Sequence, residues 1–259
     1  MLDFFSLALN FFSPPESLDT ISFVILIALS AMSSFITASI GIGGGMIMLG
    51  ALAQVLPIKA VIPVHAIIQL GSNSGRAIML RQHISWNLFA YFALGSVLGA
   101  IIGGQFVISL PIELLRALLG IFILYSVWAP NKWNLPNNKT SVLIGGGVTT
   151  FLTMFVGATG PFVTALLRAF TLNRHELIAS SAAFLVLQHL LKAVVFASLG
   201  FVFSPYLGLL CLMIVAGLAG TFLGKTMLLK LNEQRFQRYL KIALSFMALR
   251  LLVLAIFAD

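Results

Sequence analysis

The stretch Ser39-Ile40-Gly41-Ile42-Gly43-Gly44-Gly45-Met46 interrupts an apolar tract that runs from residue 21 to residue 56 and stops at Pro57. As one straight α-helix the tract would be about 54 Å long at 1.5 Å per residue, against a bilayer core of about 30 Å. It must break, and glycine, a poor helix former, marks the place. Downstream, 60–80, 87–108 and 112–129 read as spans. A polar segment, 131–139, follows at mid-chain. Then come 141–170, broken around Gly157-Ala158-Thr159-Gly160-Pro161, and 175–199, 204–227 and 236–257. Trp86, Trp128 and Trp133 lie at span ends, where an aromatic belt would place them.

Composition agrees. Of 259 residues, 60% are hydrophobic and 8% charged, and the mean hydropathy is +1.07. Soluble domains carry about 25% charged residues, and so few could not cover a water-facing surface without large apolar patches. A soluble enzyme, a nucleic-acid-binding domain, a disulfide scaffold and a disordered chain are all excluded. An all-α polytopic membrane protein remains. The excess of Lys and Arg, 15 against 7 Asp and Glu, fits basic loops on the cytoplasmic side better than nucleic acid. Cys211 is the lone cysteine, without a disulfide partner or a metal-site pattern. No cofactor and no metal are expected.

The halves repeat. A shift of 116 residues carries Gly41 onto Gly157, Gly44 onto Gly160, Asn73 onto His189 and Arg76 onto Lys192. A shift of 121 carries Gly99 onto Gly220 and Gly103 onto Gly224. Each half is a glycine-broken half-helix segment followed by three spans, the pattern of secondary transporters. The expected organisation is an N-terminal interfacial segment over 1–20, rich in Phe and without the basic start of a signal peptide. A first transmembrane repeat covers 21–130, a polar linker 131–140 and a second repeat 141–259. Two topologies are open. If the broken tracts cross, there are eight crossings. If they are re-entrant hairpins there are six, three per half, and the repeats are inverted. The hairpin gathers Arg81, Lys132, Lys139, Arg168, Arg174, Lys225, Lys230, Arg235 and Arg238 on one side and leaves Lys59 and Arg116 on the other. It is the favoured reading. Both topologies put the Lys225–Arg238 loop in the cytoplasm and both termini outside.

A helix break cannot face lipid, because its freed N–H and C=O groups would go unpaired. The two breaks must therefore line a cavity or be buried, and the half-helices starting near Gly45 and Pro161 would offer free N–H groups and a positive dipole end to an anion. His65, Gln69, Asn73 and Arg76, spaced four, four and three apart, share one helix face. Gln188, His189 and Lys192 lie in the corresponding later span. Glu113, Glu176 and Glu233 fall at span starts, so no carboxylate lies within the membrane. A cation transporter would want one there. Every intramembrane polar group here can donate to an oxyanion. The candidate substrate site is Gly43, Gly44, Gly45, Gln69, Asn73, Arg76, Gly160, Gln188 and Lys192. His189 and His65, with an ordinary pKa near 6.5, are candidates for proton coupling. HExxH, GxSxG and Walker patterns are missing from the sequence, and the chain is expected not to be an enzyme. Ser72 or Ser181 paired with a histidine has no motif to support it.

At Gly41–Gly45 the chain resembles the TauE/SafE family of sulfite and organosulfur-anion exporters, in which a GxGGG stretch ends the first segment of each repeat. The loop His83-Ile84-Ser85-Trp86 and the glycine-rich span Gly95–Gly104 are similar to the family's too. Gly157–Pro161 is a degenerate second copy, and Gly50 stands where the family often has proline. The resemblance covers roughly 21–257. It implies an inner-membrane permease exporting sulfite, a sulfonate or a related small oxyanion. A passive anion channel is the alternative. The expected partners are that anion and the lipid bilayer, with no nucleic acid and with a homo-oligomer left open.

Overall fold

The computed structural model describes residues 11–16, 18–40, 43–107, 110–128, 135–226 and 233–257. The first ten residues of the expected interfacial segment, 131–134 of the linker and 227–232 of the basic loop lie outside them. Ten α-helices are described: α1 (Thr20–Ile40), α2 (Gly44–Val55), α3 (Ile58–Met79), α4 (Trp86–Val107), α5 (Ile112–Trp128), α6 (Lys139–Val156), α7 (Gly160–Arg168), α8 (Arg174–Ser198), α9 (Leu207–Thr226) and α10 (Glu233–Phe257). Among the described residues there is no strand. Five helices, α1, α4, α6, α8 and α9, are long and apolar enough to cross a membrane. The polarity is that of a protein in lipid. Ser30, His65, Asn73, Gln188 and Lys192 are buried, while Val24, Leu98, Ile101, Val215, Phe222 and Phe246 are exposed.

Both glycine-rich stretches break the helix where the sequence requires it, between Ile40 and Gly44 and between Val156 and Gly160. Gly43 and Gly157 have φ of 106° and 76°, a region that side chains with a Cβ avoid. The chain reverses at each break. Continued straight, Gly44 would stand about 16 Å beyond Ser33. Instead a Cβ on Gly44 would lie 1.8 Å from the Ser33 carbonyl oxygen. Likewise a Cβ on Gly145 would touch Leu166, so α7 doubles back along α6. The arms are unequal. α1 has 21 residues and α6 has 18, against 12 for α2 and 9 for α7. The sequence predicts half-helices on both sides of each break, but here the first arm is full-length, because it pairs with another full-length helix.

That pairing is backbone to backbone. Ser30 Oγ donates to the Met213 carbonyl at 2.6 Å and Ser39 Oγ to the Gly224 carbonyl at 3.0 Å, so α1 and α9 run parallel along their whole length. A Cβ on Gly220 would sit 2.0 Å from the Ala31 carbonyl oxygen. Helices α4 and α6 do the same, where a Cβ on Gly99 would sit 2.1 Å from the Gly147 carbonyl oxygen. Small residues at the contact permit this approach. Between these pairs α3 and α8 cross antiparallel, and α5 runs antiparallel to α10, with Trp128 Nε1 donating to Ser245 Oγ at 2.9 Å and Arg116 to the Leu254 carbonyl at 3.2 Å. Ile58, Val107, Leu115 and Gly200 meet at one end of the bundle, the Gly200 end. Ala38, Leu80, His175 and Lys225 meet at the other, the Lys225 end.

Helix starts carry the expected acids. Asn173 and Glu176 form a reciprocal capping box at α8. Asp19 accepts the Ser22 N–H at 2.9 Å, and the hydrogen bonds from Ser22 hold its carboxyl below the usual carboxylate range.

Candidate functional site

The polar face of α3 turns inward, and His65, Gln69, Asn73 and Arg76 are all buried. Three of them, Gln69, Asn73 and Arg76, form a hydrogen-bonded row. Arg76 NH2 donates to Asn73 Oδ1. Asn73 Nδ2 donates to the Gln69 carbonyl at 2.7 Å and, at 3.4 Å, to Gln69 Oε1. His65 Nε2 lies 2.9 Å from the Gly45 carbonyl oxygen. A carbonyl only accepts, so this nitrogen carries the proton. The His65 bond thus fixes the start of α2 against α3.

Across from it stands α8. The antiparallel crossing brings the His189 ring to 5.6 Å from that of His65, centroid to centroid. Between α3, α8 and the two breaks lies a cavity of about 40 Å³, on a scale where one water takes roughly 10–15 Å³. It has room for about three waters, or one compact ion. Gly43 and Gly45 reach it from the first break, Gly160 and Pro161 from the second, and His65, Gln69, Asn73, Arg76 and His189 from α3 and α8. Two helix N-termini therefore border one small space, and both dipoles favour negative charge there. The lining contains no carboxylate. Arg76 NH1, His65 Nδ1 and His189 Nδ1 are buried without a hydrogen-bond partner, and such groups ask for a ligand or a water.

Gly44, Gln188 and Lys192, expected in the site, do not line this cavity. Gly44 packs on Ser33 and Thr37. Gln188 donates to Thr149 Oγ1 at 2.8 Å and Thr150 Oγ1 at 2.9 Å, and accepts from Thr159 at 2.9 Å. Lys192 Nζ donates to the Gly157 carbonyl at 2.6 Å and to Thr153 Oγ1 at 3.2 Å. All these partners belong to α6 or to the turn after it, so the two α8 side chains hold the second break in shape. The Lys192 charge sits at the C-terminus of α6, where the dipole favours a cation. Sequence reading missed the threonines. Thr149, Thr150 and Thr153, a polar patch on an apolar helix just before a glycine break, were the available signal. It also missed Thr37, Thr164 and Leu185, which complete the cavity wall. Their spacing carries no signal of its own.

Residues 25–251 match the family model described as sulfite exporter TauE/SafE. No curated protein and no solved structure matches the chain.

Proposed function

The chain belongs to the sulfite exporter TauE/SafE family, and on that footing we propose that it is a secondary transporter exporting a compact oxyanion, sulfite or a small sulfonate, through the cavity between the two helix breaks. One observation carries the reading: a carboxylate-free cavity bordered by two helix N-termini, with Arg76 NH1 buried beside it and unpaired. The anion accepts from Arg76 and from backbone N–H groups at Gly45 and Gly160. Lys192 adds positive potential from behind the wall. With Nε2 donating to Gly45, neutral His65 has only a lone pair at Nδ1, so a bond from Nδ1 to an anion requires a second proton. Anion and proton therefore bind together, so the hold on the anion depends on the protonation of His65 and His189.

The architecture supporting this reading is a pair of inverted repeats, 21–130 and 141–259. Its support is the matched work of Gly99 and Gly220, each packing a third helix against the first arm of the opposite half, and the opposite directions of α1 and α6. With a hairpin at each break, Arg81, Lys139, Arg168, Arg174 and Lys225 fall at the Lys225 end and Lys59 and Arg116 at the other, a bias that supports a cytoplasmic Lys225 end and a location in the plasma membrane, the inner membrane of a two-membrane cell.

Reconstituted protein tests the reading. With a pH gradient imposed across proteoliposomes, radiolabelled sulfite should accumulate above its electrochemical equilibrium, and a protonophore should abolish the excess. Flux that only equilibrates would instead make the protein a passive channel.

A further inference from the structure

Arg76 lines two cavities. Beyond the central one, its side chain also borders a pocket of about 130 Å³ at the Lys225 end, together with Ala38, Met79, Thr221, His175 and Lys225. Lys225 and His175 stand exposed at the rim, and the His83 ring lies 5.4 Å from that of His175. Glu176, next to His175 in sequence, is engaged in the α8 capping box. Deeper in, Thr221 is fully buried and its Oγ1 has no hydrogen-bond partner. Arg76 is 5% exposed, and its NH1 is equally unpaired. Unpaired buried donors in a native structure call for a ligand or a water. Two of them on one wall, beneath a Lys and a His, form a cradle for negative oxygen.

We propose that this pocket is a second oxyanion subsite, a vestibule in which the anion is held by Lys225, Thr221 and Arg76 before Arg76 passes it to the central cavity. The inference rests on the central cavity being the transport site. The geometry gives Arg76 a particular part. Its NH2 is bound to Asn73, its NH1 has no partner, and the residue borders both cavities. Transfer of the anion between subsites then leaves no step at which Arg76 must give up its anchor. The vestibule is roomier than the central cavity, so it admits an ion that still carries water, and most of its wall is apolar, from Ala38, Met79, Leu80 and Ile178, so the few polar groups do the holding. The ligand chemistry is a phosphate- or sulfite-like oxyanion, which could come from the transported ion or from the headgroup of an anionic lipid.

Equilibrium binding of radiolabelled sulfite to the full-length protein in phosphatidylcholine nanodiscs counts the sites. Two ions per chain are expected. Thr221→Val, which keeps the shape of the side chain, and Lys225→Gln should each weaken the second ion by about three- to tenfold, as the loss of one partly solvated hydrogen bond does. The first ion should be unaffected, and transport loaded from the Lys225 end should show a raised KM with kcat little changed. In nanodiscs rich in phosphatidylglycerol, displacement of the second ion from wild type would identify the oxyanion as a lipid phosphate, and its retention would identify it as the transported anion. One ion per wild-type chain, or two ions indifferent to both variants, overturns the vestibule and leaves the central site standing. No bound ion at all overturns both.

Discussion

Three neighbouring or repeat-related glycines give opposite predictions when each is changed to alanine. At Gly44 the new methyl would sit 1.8 Å from a backbone oxygen and 2.1 Å from Thr37 Oγ1. A carbonyl of α1 cannot move aside without shifting the helix, so Gly44→Ala should cost about 1–3 kcal/mol or more, as overpacking does. At Gly45 the nearest atom is Gln69 Oε1 at 3.4 Å, and at Gly160 it is Leu185 Cδ1 at 3.6 Å. Both are ordinary contacts. These two changes should leave stability within about 0.5 kcal/mol, or raise it slightly through helix propensity. Each, however, adds a heavy atom to the wall of a cavity of about 40 Å³. A methyl takes up about the room of one of its roughly three waters, and an oxyanion that fills the space can no longer reach both helix starts. Loss of one charge-assisted contact, about 1.5–3 kcal/mol, lowers affinity at least tenfold. The assay is paired: denaturant unfolding in detergent for stability, and radiolabelled sulfite binding for affinity. Gly45→Ala and Gly160→Ala variants that are stable and bind like wild type would refute the cavity as the site. A Gly44→Ala protein as stable as wild type would refute the packing.

Protonation of His65 or His189 should strengthen the hold on an anion, so sulfite affinity of the reconstituted protein should rise as the pH falls, and this dependence should flatten in His65→Gln or His189→Gln. An unchanged profile in both moves the proton site elsewhere. Lys192→Met removes the bonds to Gly157 and Thr153 and should lower unfolding stability by about 1–3 kcal/mol, with a loss of sulfite affinity well under tenfold, because only its potential and no direct contact is removed. A tenfold loss of affinity at full stability would put Lys192 in contact with the ion. In a Cys211→Ala background, Gln82→Cys should react with an impermeant maleimide only after cells are permeabilised, and Lys59→Cys in intact cells. The reverse order would mean that the broken tracts cross the membrane.

The breaks were legible because length forced them: a largely apolar tract of 36 residues does not fit one span, and only glycine-rich stretches could yield. The polar row on α3 was legible because spacings of four, four and three define one face of any helix. The rotation of α2 was not. In Gly43-Gly44-Gly45 each residue turns about 100° from the last, and glycines carry no side chain to say which one faces α1. Here that is Gly44, while Gly43 and Gly45 reach the cavity. The full length of α1 was equally hidden, since it follows from the length of α9, a helix some 180 residues later.

The cations and histidines show most clearly where sequence symmetry stops informing. The 116-residue shift aligns Arg76 with Lys192, yet Arg76 keeps NH1 unpaired at the cavity while Lys192 closes on the Gly157 carbonyl. The difference lies in the partners. Asn73 Oδ1 engages only one Arg76 nitrogen, whereas Thr153 and the Gly157 carbonyl both stand within reach of the Lys192 ammonium. The same shift sends His65 to Ser181 and gives no hint that His65 meets His189. They meet because α3 and α8 cross antiparallel, which sets residues side by side by the sum of their numbers and not by their difference. Two similar halves can therefore build one asymmetric arrangement, with one cation at the cavity and the other bonded into the scaffold. An asymmetric site suits the proposed export, because Arg76, whose NH1 is unpaired, also borders the pocket at the Lys225 end, the side from which that export loads the anion.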